Sequence, residues 1–397
     1  MISYKELRMK LQNMPKLKGC VNIERSPIIN EGFPGQFNLS FTELPLLKEY
    51  GRYTDFDHDY IFSTIMSCIR WNDIYDDKTK LSKLTGEKSW KYLGVFEMSD
   101  LVGLAHLVGR RNAVESQRKT VKAFFNLTDE LGIKRKDIFP SYQKGGKICD
   151  ITNCRYDFEF YVPEDKIGKQ LLLDEGIPEK NFIEDKTTDT LLCLKLCRKL
   201  ESAGILQISS PWGYRNEINV NIGTKENLRL VDIGTFESFL WKPVYKNEEI
   251  VNLADLNDAT ALGIVGLERL CMVANRLERI CDLDFLKPFY DNLGKIKNSV
   301  LIGENLRALH RIYSDIKKYD IKDWNSDSRK KKINRLKRNV LSSEIGLEQI
   351  RDLLVINTEK QPWHFELKEN IDFVLQEIKD YLGKLELKKY STTQKNA

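Results

Sequence analysis

No stretch of this 397-residue chain approaches the run of about eighteen apolar residues that a membrane-spanning helix needs. The opening residues, Met1-Ile2-Ser3-Tyr4-Lys5-Glu6-Leu7-Arg8, lack the apolar core of a signal peptide. These two absences predict a cytoplasmic protein with no membrane partner. Histidine is scarce, with four in all. The eight cysteines, Cys20, Cys68, Cys149, Cys154, Cys193, Cys197, Cys271 and Cys281, form no Cys-x-x-Cys pair. A closed zinc site needs four converging ligands, so no metal site is expected. Cys193 and Cys197 stand one helical turn apart among Leu191, Leu192, Leu194 and Leu196 and read as core thiols. All the cysteines are expected to be reduced, as in a cytosolic protein. An excess of one charge is missing too. Sixty-three Lys and Arg face fifty-eight Asp and Glu, a net charge of +5, so the chain as a whole is not built to bind a polyanion and no DNA partner is expected.

What is present is an ordinary globular composition, 41% hydrophobic and 30% charged, long enough for two or three domains. Periodicity predicts a short helix over Tyr4 to Leu11 and a Pro/Gly-rich stretch through Gly35. Strand, loop and strand follow from Asp59 to Phe96, with Asp76 to Lys88 as a mobile loop between them. Asn112 to Leu131 reads as a helix with Val121, Phe124, Phe125, Leu127 and Leu131 on one face. Phe158 to Val162 alternates as a strand, and Thr187 to Ala203 reads as a helix. Strands return at Ile205 to Ile208, Glu217 to Ile222 and Leu228 to Ile233, before a helix lined by Leu267, Leu270, Val273, Leu277 and Ile280. From about Lys295 the pattern is helical: Leu301 to Ile316, Arg329 to Leu341, Ile345 to Ile356 and Glu366 to Leu387. Strands with helices on one face suit an α+β fold with a mostly antiparallel sheet. No internal repeat is visible.

Seven segments carry chemistry. Gly263-Ile264-Val265-Gly266-Leu267-Glu268-Arg269-Leu270 leads into a helix, with glycines that let backbone come close to a ligand and an arginine fork suited to phosphate oxygens. Upstream, Ser63-Thr64-Ile65-Met66-Ser67-Cys68-Ile69-Arg70 precedes Val95-Phe96-Glu97-Met98. Ser210-Pro211-Trp212-Gly213-Tyr214-Arg215-Asn216-Glu217-Ile218 combines a Pro/Gly turn with a strand, and Leu228-Arg229-Leu230-Val231-Asp232-Ile233 is a further strand. Near the end come Asn305-Leu306-Arg307-Ala308-Leu309-His310-Arg311-Ile312 and then Asn325-Ser326-Asp327-Ser328-Arg329, followed by Lys330 to Arg338. In their order along the chain the segments resemble alanyl-tRNA synthetases, of class II, from roughly Ser26 to Arg338. Phe41-Thr42-Glu43-Leu44 resembles a further family segment loosely.

The resemblance implies a class II synthetase-like catalytic domain over residues 1–295. It implies a helical tRNA-recognition-like domain over 296–387, with 388–397 as a disordered tail. It implies adenylate formation from ATP and an amino acid or related carboxylic acid, with ATP and Mg²⁺ as cofactors, then transfer to tRNA. Arg70 and Arg269 would act on the phosphates, because an arginine aimed at the carboxylate and the α-phosphate neutralises the charge crowding there. Phe96 would stack on adenine, Glu97 and Met98 would read its edge, and Gly266 would let the nucleotide approach. Gly204, Trp212, Glu217, Asp232, Thr235 and Leu262 would line the substrate pocket, with Asp232 or Glu217 also available to Mg²⁺.

The chain departs from the family where the amino acid binds. Leu262 stands where the family places the aspartate that holds the substrate ammonium, Gly204 falls at the tryptophan of the pocket wall, and Thr235 falls at an asparagine. An ammonium buried without a carboxylate costs several kcal/mol, so Asp232, Glu237 or Asp258 would have to substitute. The chain beyond Arg338 is also too short for the family's editing and C-terminal domains. A hydrophobic pocket rejects one methylene or hydroxyl by only about 10- to 200-fold. Two alternatives therefore stay open: a tRNA-independent amide- or ester-forming ligase of specialised metabolism, and a catalytically silent RNA-binding or regulatory paralogue. Arg329, Lys330, Lys331, Lys332, Arg335, Lys337 and Arg338, on a helix with Ile333, Leu336 and Val340, form a basic flank suited to an RNA backbone. The oligomeric state is left open.

Overall fold

The computed structural model of the protein describes residues 1–13, 20–22, 24–29, 60–106, 109–193, 211–247, 249–322, 324, 326–343 and 345–395. The fold is α+β, with a mixed, mostly antiparallel sheet, flanking helices and a helical C-terminal region. The chain divides into two compact units. The first is built from Met1–Arg25, Phe41–Met66 and Glu97–Arg276, the second from Ser26–Ser40, Ser67–Phe96 and Leu277–Ala397. The domain boundary expected near residue 295 is thus met at Arg276, and the segment Ser67–Phe96, expected with the catalytic sheet, belongs with the C-terminal helices. Packing explains that membership. Ile69, Trp71, Ile74, Leu84 and Val95 share one buried core with Leu306, Leu309 and Ile312.

The strands are β1 (Cys20–Asn22), β2 (Tyr60–Ser63), β3 (Ile65–Ile69), β4 (Val95–His106), β5 (Ile138–Gln143), β6 (Gly146–Lys147), β7 (Tyr161–Val162), β8 (Ile183–Asp185), β9 (Leu191–Leu192), β10 (Trp212–Asn221), β11 (Leu230–Lys246) and β12 (Glu249–Gly266). Among the described residues the main sheet runs β1-β2-β4-β12-β11-β10-β5-β8, with β3 on β4 and β9 on β10, while β6 and β7 pair separately. β1–β2 and β5–β8 are parallel. β10, β11, β12 and β4 are antiparallel neighbours. Gly213 lets β10 and β11 come together, since a Cβ there would stand 1.7 Å from the carbonyl oxygen of Ser238.

In the first unit, α1 (Tyr4–Asn13) buries Tyr4, Leu7, Arg8 and Leu11, the spacing of one helical face. Its start is a reciprocal cap, with the Ser3 N–H donating to Glu6 and the Glu6 N–H to the Ser3 hydroxyl at 2.8 and 3.2 Å. α2 (Gly109–Glu130) lays Phe124 against Phe236 of β11, ring centroids 4.9 Å apart. α3 (Lys166–Asp174) is capped by Asp165, and α4 (Leu267–Ala274) follows β12 directly. In the second unit lie α5 (Lys287–Leu293), α6 (Ser299–Lys318), α7 (Asp327–Leu341), α8 (Leu347–Glu359), α9 (Phe365–Glu369) and α10 (Ile371–Lys395). α6 is central, with every residue from Ile302 to Ile316 buried. Its interior is partly polar. Arg311 reaches Glu366 at 2.6 Å, and His310 bonds the Leu367 carbonyl at 2.9 Å and Asn357 at 3.0 Å. Burial pushes the His310 pKa down to about 3, so the ring is neutral.

Several expectations give way. The helix predicted from Thr187 begins instead as β9, where Leu191 and Leu192 pair with Tyr214 and Gly213. Its remainder, the strand at Ile205 to Ile208, Gly204 and the Phe41 to Leu44 segment lie outside the described residues. The strand expected over Phe158 to Val162 is reduced to β7, because Phe158 and Phe160 pack into an aromatic cluster around Trp241. β11 runs thirteen residues beyond Ile233 and β12 was not anticipated at all. Lys388, Lys389 and their neighbours contain neither Gly nor Pro, and α10 continues through the expected tail to Lys395. Among the described residues no helix is long and apolar enough to cross a membrane.

The cysteines are not all reduced. Cys149 and Cys154 are joined by a disulfide, their Cα atoms 4.1 Å apart. The turn between them places Asn153 and Cys154 in the left-handed region, φ 50° and 53°, which brings the Cys154 N–H to the Cys149 carbonyl at 2.6 Å. Cys193 and Cys281 stand outside any disulfide, and burial pushes the Cys281 thiol up to about 12. Closing so short a loop restricts the unfolded chain by about 2 kcal/mol. Replacing both Cys149 and Cys154 by Ser is expected to lower the unfolding free energy by about that amount in oxidising buffer. With reductant present, parent and variant should unfold at the same denaturant concentration.

Candidate active site

The site begins with a constraint of the sheet. Directly opposed residues on neighbouring strands point to the same face. Arg215, Glu237 and Leu262 are opposed across β10, β11 and β12, and Glu217, Thr235 and Ile264 form the next row, which Asp100 of β4 extends. The other face carries Phe236, against which α2 packs. Along β10 the half-buried residues Arg215, Glu217, Asn219 and Asn221 alternate with buried Asn216, Ile218 and Val220. Four sequence candidates, Glu217, Asp232, Thr235 and Leu262, therefore share one face, on which Leu262 is buried and the other three are half-buried. Trp212 does not join them; it is fully buried and packs edge-on against Tyr156 at 4.8 Å.

The face is charged and internally paired. The Arg215 Nε donates to Glu237 Oε1 at 2.9 Å. Burial works against the charge on Arg215, but Glu237, with Glu217 and Asp232 nearby, outweighs it and raises the arginine pKa further. Arg269, in the first turn of α4, donates to Asp232 Oδ2 at 2.9 Å and to the Asp232 carbonyl at 3.4 Å. The preceding Gly266 has ordinary backbone angles, and a Cβ built on it meets no atom within 4 Å. Packing therefore does not call for glycine at this position. Leu262 is fully buried, and the Glu237 carboxylate stands opposite it on the next strand. Among the described residues no group of three or more His, Cys, Asp or Glu could hold a metal ion.

Behind the face, α1 is fastened to the strand and helix that carry these candidates. Asn275, just past α4, takes the Ile2 N–H at 2.9 Å and gives its own amide to the Ile2 carbonyl at 2.8 Å. Arg8 grips Glu97, with Nε at 3.0 Å from Oε2. The Tyr4 hydroxyl lies 3.0 Å from both Glu97 Oε2 and Glu268 Oε1, and the Glu97 N–H donates to Glu268. Burial, then Glu268 and Glu97, hold the Tyr4 pKa well above its usual value, so it keeps its proton. The side chain and amide of Glu97 are thus both engaged in the interior, and Met98 beside it is buried.

Arg70 and Phe96 belong to the second unit, whereas Glu97, Met98, Gly266 and Arg269 belong to the first. The Arg70 guanidinium lies over the Phe96 ring, 5.0 Å from its centroid, and the Arg70 N–H donates to the Gly94 carbonyl at 3.0 Å. The basic residues of α7 do not form one free flank. Arg329 and Lys337 are buried, Lys337 with Glu377 at 2.9 Å, because they fall on the same helical stripe as Ile333, Leu336 and Val340. Lys332 lies over Trp71 and Arg335 over Tyr75, the latter 3.6 Å from the ring centroid. Lys330, Lys331 and Arg338 are exposed. The Asn305 to Ile312 segment is enclosed in α6 and presents no surface.

Sequence reasoning missed Arg215, Glu237 as its partner, Asp100, Glu268, Tyr4 and Arg8. The alternation after Glu97 and along β10 marks Asp100 and Arg215 as side chains of one face, but their neighbours depend on register. No protein-family model and no curated protein matches the chain. Removing Arg8 would leave a buried carboxylate without its cation, a loss of about 3–5 kcal/mol. Arg8→Ala is therefore expected to lower stability by about that amount in chemical denaturation, and Arg8→Lys by less.

Proposed function

We propose that the protein is an ATP-dependent ligase. It activates an amino acid or related carboxylic acid as the acyl-adenylate and passes the acyl group to tRNA, as a homologue of class II alanyl-tRNA synthetases. The observation that carries this reading is Arg269. It opens a helix directly after the last long antiparallel strand and holds its guanidinium at 2.9 Å from Asp232, on the same charged sheet face as Arg215, Glu217, Thr235 and Glu237. Triphosphate oxygens would compete with Asp232 for that planar fork, a geometry that phosphate satisfies as well as carboxylate does. Glu217 and the Arg215–Glu237 pair then offer fixed charge to the acid being activated. The same reading assigns to the nucleotide Arg70, whose guanidinium lies over Phe96 in the second unit. Magnesium, carried on the nucleotide and completed by a carboxylate such as Asp232 or Glu217, would supply charge neutralisation at the transferring phosphorus.

The pocket is read as altered rather than built for alanine, because Leu262 and Thr235 replace the polar contacts that the family resemblance calls for. Pyrophosphate exchange screened across the standard amino acids and simple carboxylic acids, with and without tRNA, tests the proposal. The acid that drives exchange is expected to be other than alanine. Arg70→Ala and Arg269→Ala should each lower the exchange rate by about 10²- to 10³-fold, the usual effect of removing one donor aimed at transition-state charge. Circular dichroism should be unchanged. Exchange near the parent rate in either variant would remove that arginine from the chemistry.

One observation favours the second reading, a ligase whose acceptor is not tRNA. Four of the seven basic side chains of α7 are buried or stacked on aromatic rings. If tRNA is the acceptor, its contacts on this helix are Lys330, Lys331 and Arg338. Changing all three to Ala should then flatten the log–log salt dependence of tRNA binding by about two to three units and leave pyrophosphate exchange intact. A parent protein that exchanges pyrophosphate but binds no tRNA would establish the tRNA-independent ligase instead.

A further inference from the structure

Glu304 belongs to none of the motifs above, yet it is wholly buried in the second unit and holds four donors. Its Oε2 accepts the Gly94 N–H at 2.6 Å and the Val95 N–H at 2.8 Å. Its Oε1 accepts the Tyr290 hydroxyl at 2.5 Å and the guanidinium of Arg307. A carboxylate offers about four lone-pair positions, and here all of them are engaged. We propose that Glu304 is a positioning residue for the activation step, fixing from the helical unit the backbone that sets Arg70 against Phe96. This rests on the adenylate-forming reading of Arg70.

The connection is short and runs through one peptide neighbourhood. Gly94 gives its N–H to Glu304 and its carbonyl to the N–H of Arg70, 3.0 Å away. Two residues on, along an extended strand, Phe96 lies under the Arg70 guanidinium. The approach demands glycine, since a Cβ on residue 94 would stand 2.6 Å from Ile74 Cγ1 and 3.3 Å from the Cβ of Glu304. Hydrogen bonds from an amide to a carboxylate are about twice as strong as neutral ones, and the site is shut off from water. A shift of Gly94 would therefore move Arg70 and Phe96 together. A misplacement of about 1 Å in positioning groups can cost on the order of a hundredfold in rate. It follows that the C-terminal helices are part of the activating machinery and do more than present an acceptor. Residues 1–295 by themselves would lack Glu304.

The test uses the full chain. Glu304→Gln keeps one acceptor oxygen for the two amides, whereas Glu304→Ala removes both and also strips a carboxylate from buried Arg307. The Gln variant is decisive because Ala can fail to fold. In Glu304→Gln, hydrogen–deuterium exchange is expected to accelerate about tenfold at the amides of residues 93–96 and of Arg70, with the amides of α6 unchanged. The kcat/KM for ATP in pyrophosphate exchange should fall about tenfold. Arg70→Ala should then cost less in the Glu304→Gln background than in the wild type, since two residues acting through one geometry are not additive. A merely structural role would leave that cycle additive. Additive effects, or unaltered protection at Gly94 and Val95, would overturn the proposal while leaving the ligase standing. No exchange by the wild type with any acid would overturn both.

Discussion

Side chains on an extended strand must alternate between faces, and a hydrogen-bonded register decides which of them stand side by side. The candidate site depends on that constraint more than on any single residue. In β10, β11 and β12 it lines up Arg215 with Glu237 and Leu262, and Glu217 with Thr235 and Ile264. A slip of one residue in β11 would exchange Thr235 and Glu237 for Phe236 and its buried neighbours. It would bury the charges beneath α2 and expose the aromatic packing. The β-bulges at Ile218/Asn219 and Gly263/Ile264 fall within this region, where they adjust which side chains meet without undoing the alternation.

The second theme is charge placed in the interior. In the first unit Arg8, Glu97, Tyr4 and Glu268 tie α1 to β4 and α4. In the second, Glu304, Arg307, Arg311 and Asp315 lie on one helix from which water is excluded. Such pairs add little net stability, because desolvation offsets much of the Coulomb attraction. What they impose is geometry. A buried carboxylate must find its donors, so the Ile28 N–H meets Asp315 at 2.9 Å and the Gly94 and Val95 amides meet Glu304. These bonds fix backbone positions that hydrophobic contact would leave free to slide.

The two themes bear differently on function. On the sheet face Arg215 and Arg269 are each held by a carboxylate, Glu237 and Asp232. The basic helix α7 offers less than its composition suggests, since a helical stripe that includes Arg329 and Lys337 must be buried together with Ile333 and Leu336. The proposed activation therefore rests on the sheet face, and the proposed acceptor on α7.

Much of the local structure was legible in the residues. The long periodic patterns of α6, α7 and α8 announce helices, the alternation from Glu217 announces a strand, and Gly266 to Arg269 marks the strand-to-helix passage that positions a guanidinium. Local pattern could do this because period and turn chemistry are properties of neighbouring residues. It could not supply the partners. That Glu237 pairs with Arg215, that Glu97 turns to Arg8 and Tyr4, and that Cys149 meets Cys154 all depend on which distant or turned-back backbone comes near. β12 escaped notice for the same reason: its mixed sequence makes sense as a strand only between β11 and β4. The sequence by itself determined which segments could be amphipathic and where a strand passes into a helix that carries an arginine. Only the tertiary structure decided which charges are buried and which face open, because burial and register arise from contacts between residues far apart in the chain.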